Sequence, residues 1–353
     1  MKGKRVLAWL LIAVLGLLTL RTAKAADAAS FQMEAYAFPY GSTATVVATV
    51  TGSATWVLKT ADGEVLCKRT ADTDKKQQLR FAFPVEAHLP RRTELALYRG
   101  DSEQAQCRTL LFCDAPQNGP VWQVACTERK LAITFDSANS SANTKEILDL
   151  LDRYDAKATF FLIGRFIENY PELCAEITAR GHELASHSYE HPDMLKATSQ
   201  EAYRSIVRTD ALIRTYNGDT CTLYRPPSGQ STFRDRAIAR GLESEVIRWS
   251  VDSGDGFRDK TYANIIGRLR THLHNGGIAL MHVYGKQTLQ VLGDILPELT
   301  AQGYRFVTVS ELLIDGEAYI DEWGTQQPLH HEQTGVERIA NRLSRTQANG
   351  GGK

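Results

Sequence analysis

The chain has no surplus of either charge. Its 353 residues carry 41 Lys and Arg against 41 Asp and Glu, a formal net charge of zero. A nucleic-acid binder ordinarily shows a basic excess, so no nucleic-acid partner is expected. None of the six cysteines falls in a C-x-x-C pair, which argues against a thiolate metal site and against a redox motif. Past the N-terminus no stretch is apolar and long enough to span a bilayer.

The N-terminus itself reads as an export signal over residues 1–25. Lys2, Lys4 and Arg5 precede an apolar run from Val6 to Leu20, and Ala23-Lys24-Ala25 offers a small-residue cleavage site. Cleavage is the preferred reading and an uncleaved anchor the rival. Both put the remainder outside the cytoplasm, so a secreted or cell-surface protein is expected. An even cysteine count in an oxidising compartment fits disulfides. Cys67 with Cys107 and Cys174 with Cys221 are the first pairings to test, with buried free thiols as the alternative.

Residues 26–115 read as a small all-β, sandwich-like domain. Strand-like runs at Thr43–Thr51, Thr55–Lys59, Gln78–Phe83 and Thr93–Tyr98 are punctuated by Asp62-Gly63, Pro90 and Gly100-Asp101. No catalytic constellation stands out there, and a structural module is the favoured reading. Residues 116–127 read as a linker, opening on Pro116-Gln117-Asn118-Gly119-Pro120. Over residues 128–316 short apolar runs alternate with amphipathic, helix-like stretches at Thr144–Tyr154, Ile167–Arg180, Ser199–Tyr216, Phe233–Arg240, Ala263–His274 and Leu289–Gln302. Seven strands in that rhythm imply an α/β fold, a parallel sheet closed or nearly closed into a (β/α) barrel. Residues 317–353 are polar, end in a glycine run and are expected to be disordered; His330-His331 there is read as incidental.

Barrel enzymes place their chemistry just past the C-terminal ends of the strands. Asp136 follows the run Leu131–Phe135, and His187 and His191 follow Glu183–Ser186. Arg225 follows Thr222–Tyr224, Asp252 and Asp255 follow Glu245–Trp249, and His282 closes Ile278–Met281. Two histidines four apart converge on one cation from a helix face or a turn. Asp136 suits a general base, a ligand or a helix N-cap. Pro226 and Pro227 stiffen the turn after Arg225, so the following amides are held as donors for a developing oxyanion. A lone histidine after an apolar run is usually a core residue, but a carboxylate such as Asp255 beside His282 favours its proton-donating form.

Five segments in this order resemble the polysaccharide deacetylases, the NodB-homology or carbohydrate esterase family 4 domain. They are Thr134-Phe135-Asp136, His187-Ser188-x-x-His191, Arg225-Pro226-Pro227-Ser228-Gly229, Asp252-Ser253-Gly254-Asp255 and Leu280-Met281-His282. The resemblance covers about half of the chain and implies a distorted seven-stranded (β/α) barrel. It implies that His187 and His191 hold a divalent metal, zinc or else cobalt or nickel, which polarises an acetamide carbonyl and acidifies its water. It implies Asp136 as the base, Arg225 as the residue that fixes it, the Ser228 N–H at the oxyanion, and His282 as the acid tuned by Asp255. The products would be acetate and a free amino sugar, from an N-acetylated glycan such as peptidoglycan. The alternative is a catalytically weak wall- or glycan-binding protein. Three departures stand out. Ser137 occupies the place of the family's third ligand, a carboxylate, which leaves a weak or water-mediated contact from Ser137 or Asn139. Ser228 and Gly256 stand where aromatics are common, which opens the groove.

Overall fold

A computed structural model describes residues 29–218 and 223–329. The expected signal segment, Cys221 and His330-His331 lie outside the described residues. None of the described helices is long and apolar enough to cross a membrane.

One compact unit consists chiefly of Gly41–Glu86 and Thr93–Leu111. It has two sheets, one ordered Ala29–Phe31, Thr43–Val50, Gln77–Pro84 and one ordered Ala35–Pro39, Ala105–Asp114, Arg92–Arg99, Ala54–Thr60, Val65–Ala71. Thr43–Val50 shows why: every second residue is buried, the period-two signature of a strand with one face on a core. Trp56, Phe81 and Phe83 fill that core. The expected Cys67–Cys107 disulfide is not formed. Two strands separate Val65–Ala71 from Ala105–Asp114. At about 4.8 Å per strand the Cα atoms stand far beyond the ~7 Å a disulfide tolerates.

The second unit holds Phe112 onward, together with Ala37–Tyr40 and Ala87–Arg92. Its parallel strands run in hydrogen-bonded order Glu245–Val246, Leu223–Tyr224, Glu183–Ser186, Ala158–Leu162, Lys130–Asp136, Ile278–His282, Val251–Asp252. The two ends of that path, Glu245–Val246 and Val251–Asp252, are pieces of one segment. The fifth strand expected from sequence is therefore broken at residues 247–250, and one bent strand closes the barrel from both sides. The seventh position, Arg305–Phe306, pairs with the start of Lys130–Asp136, and its Phe306 carbonyl accepts from the Lys157 N–H. Phe135, Phe160, Leu162 and Met281 meet the inner faces of the surrounding helices in one core.

The helices follow the expected pattern with one correction. The helical run expected over Ile167–Arg180 is two helices, Gly164–Asn169 and Pro171–Ala179. Pro171 has no N–H to continue the first and a φ suited to opening the second. Thr198 and Glu201 form a reciprocal capping box that starts Ser199–Asn217 where the sequence places it. Cys174 is a buried thiol in this core, its burial pushing it up to about 12.

Two boundaries also change. Val121 and Val124, expected in the linker, are buried with Val309 and Leu312. Gln123–Val124 pairs with Thr325–Pro328, which pairs in turn with Ala318–Ile320, a segment expected to be disordered tail. A count of polar residues hid the few apolar ones, and those decide burial.

Candidate active site

The strands end together, and this gathers the site. Asp136 and His282 are direct partners on one rung between neighbouring strands. Leu162, Ser186 and Tyr224 share another rung, and the His187 and Arg225 N–H groups donate to the Leu162 and Ser186 carbonyls just beyond it. Asp136 and His282, 146 positions apart in sequence, thus share one rim.

Asp136 is buried. Its Oδ1 accepts from Arg225 Nη1 at 2.6 Å, and its Oδ2 lies 3.4 Å from His187 Nε2. Burial alone would push the carboxyl up, but Arg225, His187 and His282 outweigh it and hold it below the usual carboxylate range. Asp136 is therefore ionised at neutral pH. Arg225 is fully buried between rings: its guanidinium carbon lies 3.8 Å from the Phe161 centroid and 5.6 Å from that of Trp249. Nη1 also donates to Thr134 Oγ1 at 2.9 Å, and Nη2 donates to the Arg248 carbonyl at 3.1 Å. Such a guanidinium cannot swing away, so it sets the orientation of Asp136.

His187 and His191 come from a loop, not a helix face, with the ring centroids 5.1 Å apart. Ser188 and His191 have φ of 67° and 58°, and the reversal this causes turns the second imidazole back beside the first. His187 Nδ1 lies 2.9 Å from the Arg225 carbonyl, which only accepts; Nδ1 therefore carries the proton and Nε2 presents a lone pair. Burial pushes His187 down to about 4, so the ring is neutral, as a ligand must be.

Across the rung, Asp255 holds His282 with both oxygens. Oδ1 accepts from His282 Nδ1 at 2.8 Å and Oδ2 from the His282 N–H at 3.0 Å. Ser253 Oγ and Thr288 Oγ1 donate to the remaining lone pairs at 3.0 and 2.5 Å. Burial disfavours the imidazolium, yet Asp255 more than offsets this, and His282 titrates above its ordinary value. Asp252 is drawn off: its carboxylate accepts from the Gly254 N–H at 2.8 Å and shapes the loop. Ser228 is exposed with φ 57°, a left-handed turn of the backbone after Pro227.

A sequence profile described as polysaccharide deacetylase matches residues 124–247. A peptidoglycan-N-acetylglucosamine deacetylase of Bacillus cereus is 33% identical over 204 residues, 56% of this chain and 94% of its own length. The chain belongs to the polysaccharide deacetylase family. A peptidoglycan-N-acetylglucosamine deacetylase of Listeria monocytogenes is 34% identical over 202 residues, 56% of this chain and 42% of that protein, so the chain spans less than half of that relative's length. Among solved structures, a CE4 family pseudoenzyme from Bacillus anthracis aligns over 56% of this chain and 69% of its own with a TM-score of 0.53 and 27% identity.

As a member of that family the barrel carries the expected residues with one shortfall. Ser137 is buried beside Asp136, but its hydroxyl already accepts from the Ile163 N–H at 3.0 Å. Asn139 is engaged elsewhere, its Oδ1 accepting from Asn169 at 2.7 Å. Among the described residues no group of three His, Cys, Asp or Glu is placed to hold a metal ion. Two imidazoles and an occupied hydroxyl fall one ligand short of a three-ligand catalytic centre, so the donor set does not fit a resident divalent cation as the family resemblance implied. Thr288 and Tyr284 are site residues that the motif reading passed over, and Thr134, quoted only as part of the first motif, accepts from Arg225. Thr288 lies 33 positions from the Asp255 it holds, and no local spacing announces it.

Proposed function

We propose that this deacetylase-family barrel is a secreted N-deacetylase of an N-acetylated glycan, with peptidoglycan or another N-acetylglucosamine polymer as substrate and acetate as product. The observation that carries the reading is the pairing of Asp136 and His282 on one rung, each with a buried positioning partner. Asp136, ionised and fixed by Arg225, takes a proton from the attacking water as its oxygen bonds to the acetamide carbon. The Ser228 N–H faces the oxygen that becomes negative. His282 then gives its proton to the nitrogen as the C–N bond breaks, leaving acetate and a free amine. Export places this chemistry at the cell wall, where the B. cereus and L. monocytogenes relatives' named substrate lies.

A second reading, a glycan-binding barrel with little turnover, is favoured by the missing third ligand at Ser137. Metal content of the purified protein, together with acetate release from N-acetylglucosamine oligomers and from wall material, separates the two. Acetate release with little bound metal is expected; no acetate from any tested glycan overturns the enzyme reading. Ser137→Asp restores a carboxylate, so this variant is expected to hold zinc more tightly in a calorimetric titration. Unchanged zinc affinity would show that the donor set is not what limits the site.

A further inference from the structure

The rim lacks aromatic side chains at 228 and 256, and at 256 the fold gives the reason. A Cβ on Gly256 would lie 2.8 Å from His282 Cε1 and 2.9 Å from Nδ1. The Gly256 backbone seats the imidazole, and a larger residue there requires the ring to shift from its present position.

Aromatic surface stands immediately beside that seat instead. Phe257 is 61% exposed and Tyr284 38%. The Tyr284 ring lies 5.1 Å from the His282 ring at 51°, and Phe257 follows the glycine on which that ring rests. Tyr284 thus neighbours the imidazole directly, and Phe257 is the exposed chain neighbour of the glycine beneath it. The Tyr284 hydroxyl has no hydrogen-bond partner among the described residues. Burial, with Asp136 and Asp255 close by, pushes its phenol up to about 12, so it keeps its proton and remains a donor.

The role of His282 fixes where a sugar must sit. To protonate a leaving amine, it must be within hydrogen-bond reach of the nitrogen on the pyranose ring. That ring then lies over whatever surrounds His282. A pyranose presents a face of C–H groups to an aromatic plane and hydroxyls at its edge, and an apolar body with a polar tip suits both. We propose that Phe257 and Tyr284 together form the stacking surface for the amino-sugar ring at the site, taking over from the aromatic positions vacated at 228 and 256. The ligand class is a neutral N-acetylated pyranose within an oligomer. The proposal rests on the deacetylase reading for its choice of ring.

The test uses the full chain and a defined N-acetylglucosamine tetramer, with binding by calorimetry, acetate release as a separate readout, and thermal melts as a check on folding. Phe257→Ala and Tyr284→Ala are each expected to weaken tetramer binding about three- to tenfold, the scale of one aromatic contact, and to raise KM more than they lower kcat. Phe257→Trp and Tyr284→Phe keep the rings and are expected to restore most of the affinity. Alanine variants that melt as the parent does and bind the tetramer equally well overturn the proposal. A parent that releases acetate while the double alanine variant keeps its KM overturns the stacking surface and leaves the deacetylase reading standing. A parent that binds through these two rings yet releases no acetate supports the surface and overturns the deacetylase reading. A parent that does neither overturns both.

Discussion

In the proposed mechanism Asp136 is the base, and in the structure it is half of a buried ion pair, so its removal has two expected effects. Asp136→Asn is expected to lower acetate release by about 10²–10⁴. It also leaves Arg225 charged and unpaired in the interior, which costs on the order of 3 kcal/mol. Urea unfolding alongside the assay reads both, and full activity would remove Asp136 from the base role. At His282 the sign is set by Asp255. A histidine raised above its free value keeps its proton to higher pH; the stability this adds is present below about 6.5 and lost as pH rises through the folded value. The acid form needed for turnover disappears over the same interval. Asp255→Asn is expected to move the alkaline limb of kcat/KM to lower pH, and an unmoved limb would assign it to another group. Asp136, His187, His191, Arg225, Asp255 and His282 are legible in sequence because each sits at a strand end within a short motif. Thr288 and Tyr284 are not, since their partners come from tertiary register; Thr134 lies within a motif, but its contact with Arg225 does not show in sequence.

Among the elements, helices over Thr144–Arg153, Ser199–Asn217, Phe233–Gly241 and Thr288–Ala301 lie within a residue or two of where periodicity puts them, because caps and apolar stripes are local. The broken strand Glu245–Asp252 is different. Its halves pair with strands on opposite ends of the path, and no pattern within eight residues reveals two partners. The strand Gln123–Val124 was hidden for a similar reason: it pairs with residues two hundred positions away. Its close approach to Gly276 can be tested. Gly276 has φ 72°, and a Cβ there would fall 1.9 Å from the Val124 carbonyl oxygen. Gly276→Ala is expected to destabilise the barrel by more than the roughly 1–3 kcal/mol of backbone strain alone. A melting temperature within a degree of the parent would show that the segment yields.

At the scale of the whole barrel, acid is the expected weakness. His182 is buried against Phe160, with its ring centroid 5.8 Å away, and neither ring nitrogen has a hydrogen-bond partner among the described residues. Burial, then Lys157, pushes it down to about 4. The unfolded chain takes up a proton from about pH 6.5 downward while the folded chain resists until about 4, so stability is lost as pH falls through that window. Chemical unfolding at pH 7 and pH 5 is expected to show the drop, and His182→Phe to reduce it, the remainder coming from His187, which burial also holds at about 4. An equally steep drop in the variant would place the acid sensitivity elsewhere.

The glycine beneath His282 also sets an order on sequence change. Replacing Gly256 by a larger residue requires the His282 ring to shift as well, so the two positions change together. Phe257 and Tyr284 carry exposed side chains instead. In the proposed reading a change of accepted glycan would run through these residues outside the recognised motifs, where a motif comparison would not look for it.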